Sequence, residues 1–262
     1  MPQASIDADE LIIGAGTVIH PSAVLCGPDG GRARRIELGD HCYIGESVQI
    51  RCTDFRLGDH GKLHHHTNVH GELPCTIGHN AWIGQYSIVD SIGGATIGDN
   101  CGVGAHSQLW THIKFGDALE GCRFLGHKPL TIGKDVWFVG HCIVSPVVAH
   151  DRAMAMVGSV ITRDMEANHV YAGSPAVDVT AKVGPQFAEV ALAAKVERLR
   201  GLLVESGVDS RTIRIAATAA EITDDDHTWF VVESRTYTKR RTPAELALMK
   251  FLLPARAKFT PA

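Results

Sequence analysis

Fifteen histidines are the side chains best suited to chemistry in this sequence, because imidazole titrates near neutrality and serves as a proton acceptor or, when neutral, as a metal ligand. They are unevenly spread: a run stands at His64-His65-His66 with His60 and His70 on either side, and a spaced pair stands at His106 and His112. Two carboxylates follow that pair, Asp117 and Glu120, of the type that orients an imidazole or binds an amine. The seven cysteines, at 26, 42, 52, 75, 101, 122 and 142, are odd in number and never spaced as CxxC. That argues against both a disulfide framework and a cysteine-rich zinc module. Which histidine acts depends on what positions it.

The composition sets bounds. A chain of 262 residues with 45% hydrophobic content can bury a core. A net charge of −4 gives no preference for nucleic acid or an anionic membrane. No apolar run approaches the roughly 18 residues needed to cross a bilayer, and Met1 to Glu10 is polar and acidic, unlike a secretory signal. The expected location is cytoplasmic. The 27 glycines beside only 6% aromatics suit a backbone that turns often around a narrow interior.

That backbone is a repeat of period six. Aliphatic residues followed by small or polar ones fall in triplets starting at Ile13, Ile19, Leu25; Leu38, Ile44, Ile50; Leu57, Leu63, Val69; Ile77, Ile83, Val89; Ile97, Val103, Leu109; Ile132, Phe138, Val144; and, in degraded form, His150, Met156, Thr162. Because a strand alternates its faces, the first and fifth residues of a hexapeptide both point inward only if the chain bends between them. Glycine at the second position and Asn or His at the fourth supply the bend, as in Gly78 with Asn80 and Gly98 with Asn100. The fifth position is small (Ala23, Val48, Ala81, Ser87, Cys101, Ser107, Val136, Cys142), so its cysteines read as core packing. The pattern predicts a mainly β protein, a parallel β-helix of about seven three-hexapeptide coils over residues 1–180. Two excursions interrupt it, Gly27 to Arg35 and 113–128, and the longer is the expected carrier of function.

Beyond Val179 the period is lost. Pro185 to Glu205 reads as an amphipathic helix, Arg211 to Ala217 and Thr228 to Tyr237 as strands, and Thr242-Pro243-Ala244-Glu245 as a helix start running to about Leu253. Residues 181–262 are expected to form a small C-terminal α/β domain, whose apolar helix faces would either cap the open end of the column or contribute to acceptor recognition.

With the repeat in hand, TIGKDVWFVGHCIVSP, GSVITRDM and VYAGSPA, between Thr131 and Ala176, resemble the closing rungs of the hexapeptide-repeat acyltransferases, most closely the galactoside, maltose and xenobiotic acetyltransferase branch. The resemblance covers about residues 11 to 180. It implies a left-handed coil, a homotrimer with sites between adjacent columns, and acetyl-CoA or another acyl-CoA as donor, with an acyl carrier protein as the alternative. It implies an O- or N-acyltransferase acting on a hydroxyl or amine of a small polar acceptor, a sugar or amino sugar; charge, hydropathy and histidine spacing give no expectation of a nucleic-acid, membrane or metal partner. The family's histidine at the base of a loop before its [PL]-x-T-I-G rung matches His112, which becomes the general base. His106, six residues earlier, is the secondary candidate, with Asp117 and Glu120 as orienting groups. Residues around the T-[KR]-D element line the acyl-CoA arm in the family, which carries over to Thr162 and Arg163 with Gly158 and Ser159 beside them, and to Trp137 and Gly140 of the VW-[IF]-G rung. Glu166 stands where the family usually has proline.

Two other readings use the same column. A γ-carbonic-anhydrase-like zinc site would need a histidine one rung before His106, where GQYSIVDSI has none. A non-catalytic scaffold would need neither His112 nor the long excursion.

Overall fold

The structure is a computed structural model, and it describes residues 4–262 of the chain. These form two compact units, and the chain divides between them after Phe187.

In the first unit successive strands pass in rotation to three parallel sheets, so the chain winds as a parallel β-helix. One face stacks Ile13, Leu38, Leu57, Ile77, Ile97, Ile132 and Ala149 in register. The second stacks Ile19, Ile44, Leu63, Ile83, Val103, Phe138 and Ala155. The third stacks Leu25, Ile50, Val69, Val89, Leu109, Val144 and Ile161. From Leu25 onward, nearly all of these side chains are fully buried in one continuous core, together with Ala23, Cys42, Val48, Ala81, Cys101, Val136 and Cys142 of the fifth position.

The last rung corrects the sequence reading by one residue. Its inward positions are Ala149, Ala155 and Ile161, whereas His150, Met156 and Thr162 are exposed. The cause is a short turn: five residues, not six, separate Val144 from Ala149. Since side chains alternate, that single deletion turns Thr162 to the outer surface. The column is also longer than seven coils, because Ser5–Ile6 adds a strand before the third face and Val170–Gly173, paired back antiparallel to Ala176–Asp178, closes the second.

Close stacking explains the glycines at the corners. A Cβ on Gly104 would lie 1.9 Å from the Val139 carbonyl oxygen, and one on Gly58 would lie 2.6 Å from the His79 amide nitrogen. Two of the three corners keep the six-residue step in every rung. Each departure falls at the third, between the third face and the first: Leu25 to Leu38, Ile50 to Leu57, Val69 to Ile77, Val89 to Ile97, Leu109 to Ile132 and Val144 to Ala149. The longest departure is an antiparallel hairpin of His112–Lys114 with Leu125–His127.

The second unit packs helices Leu192–Ser206 and Pro243–Leu252 with a four-stranded sheet around Phe230, Tyr237, Leu248, Leu252 and Phe259. The first helix begins at Leu192, not at Pro185. Residues 186 and 187 are instead held against the coil, where Gln186 donates to the Asp135 carbonyl and the Phe187 amide donates to Asn168. Thr228–Val231 and Thr236–Tyr237 are two antiparallel strands, joined by a turn with Arg235 at positive φ. Thr242 caps the second helix by accepting from the Glu245 amide.

Candidate active site

The irregular corner gathers the chemistry. Strand Ile88–Asp90 sends Val89 into the core, so Asp90 faces outward, yet Asp90 is fully buried because the chain leaving the next rung folds over it. Its Oδ2 accepts from the Thr111 amide at 2.7 Å and the Thr111 hydroxyl at 2.6 Å, and lies 2.7 Å from His112 Nδ1. Its Oδ1 accepts from the Ile92 amide at 3.0 Å. Burial alone would raise the pKa of this carboxyl, but hydrogen bonds from Thr111, His112 and the two backbone amides outweigh it and hold the value below the ordinary one. Asp90 is therefore a carboxylate and only accepts, which fixes the proton of His112 on Nδ1 and leaves Nε2 as the basic nitrogen.

His112 stands at the base of the hairpin, opposite His127, with its side chain 21% exposed. It is oriented from two sides, by Asp90 and by the edge of Trp110, whose ring centroid is 5.9 Å away. His70 is in register with Asp90 one rung below, its Nε2 3.7 Å from Asp90 Oδ1. Burial, with His112 nearby, pushes the His70 pKa down against the pull of Asp90. The arrangement is a partly open imidazole backed by a buried carboxylate, suited to removing a proton from a hydroxyl or amine.

The other sequence candidates fall elsewhere. Asp117 and Glu120 lie exposed in the hairpin turn, where Asp117 Oδ1 accepts from the Leu119 and Glu120 amides. The group that orients His112 is Asp90, which the sequence reading missed. Its signal was an aspartate in the outward slot after an inward valine, one rung before His112 and at the same corner. His106 sits at the regular corner where the chain enters the strand that His112 leaves, stacked between Tyr86 and His141 with ring centroids 5.1 and 4.9 Å away.

Among the candidates for an acyl-CoA arm, Thr162 and Arg163 are exposed and line a cleft of about 250 Å³ with Asp164, Tyr171, Val177 and Asp178. Trp137 is 46% exposed on the second face and packs over Gly102, while Gly140 and Gly158 both have positive φ. Ser159 does not present a group to a ligand: it is fully buried and its hydroxyl donates to the Met156 carbonyl at 2.7 Å, closing the turn. Among the described residues no group of three or more His, Cys, Asp or Glu is placed to hold a metal ion. No described helix is long and apolar enough to cross a membrane.

No protein-family profile matches the chain. Over 81 residues it is 35% identical to the galactoside O-acetyltransferase of Escherichia coli K12, a match that covers 30% of this chain and 36% of that protein. The match thus spans about a third of the length of that relative. Among solved structures, a maltose O-acetyltransferase from Clostridium difficile 630 is 23% identical over 52% of this chain and 67% of its own, with a TM-score of 0.34. The polysialic-acid-specific acetyltransferase NeuO is 16% identical over 78% and 99%, with a TM-score of 0.46. An N-acyltransferase from Bacillus cereus, AntD, solved as a point mutant in complex with dTDP and coenzyme A, is 16% identical over 75% and 91%, with a TM-score of 0.45. The six-residue repeat and the three-sheet coil it builds make the first unit a hexapeptide-repeat β-helix, and 81 residues of the chain are similar in sequence to a galactoside O-acetyltransferase.

Proposed function

We propose that the chain is an acyl-CoA-dependent O- or N-acyltransferase in which His112 is the general base and Asp90 the residue that positions it. The observation that carries this reading is the 2.7 Å contact between His112 Nδ1 and a fully buried carboxylate at the base of the one long hairpin. As a hydroxyl or amine attacks the thioester carbonyl, Nε2 of His112 takes its proton, and the departing thiolate recovers one. The Asp90 carboxylate stabilises the imidazolium formed in between, at a site where burial strengthens the interaction. Thr162 and Arg163, exposed beside their cleft, are the residues proposed to contact the donor arm, with Trp137, Gly140 and Gly158 as further contacts.

The acceptor is a small polar molecule, a sugar or amino sugar. Support comes from what the similar proteins are named for, a galactoside, maltose and polysialic acid, and from the dTDP-4-amino-4,6-dideoxyglucose bound in a second AntD complex. The assembly is proposed to be a cytoplasmic homotrimer of left-handed coils with sites shared between columns, and a strict monomer with full activity would overturn the shared site.

Thiol release from acetyl-CoA, measured with a panel of sugars and amino sugars, tests the activity. The expected result is turnover with at least one acceptor and a loss of about 10²-fold or more in His112→Ala. No release with any hydroxyl or amine acceptor would contradict it.

A further inference from the structure

Along the regular corner that leads into the third face, four exposed rings stack one per rung. His66, Tyr86, His106 and His141 have centroids separated by 4.8, 5.1 and 4.9 Å and planes within 12° of parallel. Each residue has a left-handed backbone, with φ of 58, 56, 58 and 50°. Each amide also donates to the carbonyl that precedes the equivalent residue one rung below, as His106 does to Gln85 and His141 to Ala105, both at 2.9 Å. The backbone continues this ladder for one more step without a ring. Gly158 has φ 73°, its amide donates to the Gly140 carbonyl at 2.9 Å, and a Cβ built on it would meet no atom within 4 Å. The outer face of the exposed His141 ring is thus bare at the stacking distance that every ring below it uses.

We propose that this missing step is a binding site for a purine base, which stacks on His141 over Gly158. The inference rests on the acyl-CoA reading: the base is the only aromatic ring of such a donor, and Thr162 and Arg163 follow Gly158 by four and five residues in the same rung. A flat base needs an uncovered ring face and an absent side chain, and this is the step of the ladder that supplies both. Stacking of a base on a side-chain ring is worth about tenfold or more in affinity.

Binding of coenzyme A, adenosine 3′,5′-bisphosphate and 4′-phosphopantetheine to the full chain tests it by calorimetry. Gly158→His should fold, since three histidines already occupy equivalent positions, and should fill the step. It and His141→Ala are expected to weaken coenzyme A and the bisphosphate about tenfold while leaving 4′-phosphopantetheine, which lacks the base, unchanged. Ser47→His, which lengthens the ladder at its other end, should change none of the three. In the wild type the bisphosphate should shift the His141 ring protons upfield. Equal coenzyme A affinity in wild type and Gly158→His would overturn the stacking site and leave the acyl-CoA reading standing. No binding of coenzyme A to the wild type would overturn both. A His141 shift that depends on protein concentration and not on nucleotide would assign the step to an aromatic side chain of a second copy and overturn the proposal.

Discussion

Two corners of the coil flank the same sheet and differ in one respect. At the corner carrying His106 the chain keeps its six-residue step through every rung, and the result is a ladder in which each residue repeats the job of the one below. At the corner carrying Asp90 and His112 the step varies from five residues to twenty-three, and only Val69 to Ile77 and Val89 to Ile97 share a length. Regularity stacks identical positions and yields stability. Irregularity lets the chain of one rung fold over a carboxylate of another, which buries a charge beside an open imidazole.

The contrast can be broken most severely at the regular corner. Gly104→Val puts a side chain onto the Val139 carbonyl, where a Cβ alone would sit 1.9 Å from the oxygen, and is expected to cost more than about 4 kcal/mol, enough to lose the folded coil by circular dichroism. Gly126→Ala in the hairpin, where a Cβ meets nothing within 4 Å, should stay within about 0.5 kcal/mol of wild type.

Thiol chemistry sharpens the same division. Burial pushes Cys42 and Cys52 up to about 12 and Cys75 well above its ordinary value, whereas Cys122, in the hairpin, is only partly buried. One fast thiol, lost in Cys122→Ser, is expected when native protein is titrated with an aromatic disulfide at pH 8, and seven after denaturation. The fast reaction should exceed the rest by about 10³-fold. Rapid reaction of several thiols in the folded protein would contradict the sealed interior.

Asp90→Asn keeps the shape of the buried group and removes its charge, so the His112 tautomer is no longer enforced. A fall in kcat of about 10²- to 10⁴-fold with little change in KM is expected.

The smallest expected effect is on acid stability. Burial lowers the pKa of His64, whose ring sits against those of Tyr43 and Trp82, and that of His70. Their folded values lie below the unfolded value of about 6.5, so the unfolded chain binds protons first. Stability is full above that pH and falls as the pH drops through the folded values. Thermal melts between pH 7.5 and 5.5 should show a declining Tm, less steep in His64→Gln.

The fold was legible because one side chain in six is enough to mark an inward row, and an unbroken row such as Leu63, Ile83 and Val103 admits a single register. The last rung was misread by one residue because His150, Met156 and Thr162 offered no aliphatic row against which to notice a five-residue turn. His112 stood out at the edge of the long excursion, by its match to the family's histidine before the [PL]-x-T-I-G rung. Asp90 did not, because its partner is 22 residues away in sequence, and only the stacking of rungs brings them together. Asp117 and Glu120 are near His112 in sequence, but the hairpin carries them out to its turn.

The central claim is that Asp90 acts through His112, and a double-mutant cycle on kcat tests it. If the two groups work as one unit, the combined Asp90→Asn, His112→Ala enzyme should be no slower than His112→Ala alone. If the two single losses multiply instead, Asp90 contributes independently of the imidazole and the account is wrong.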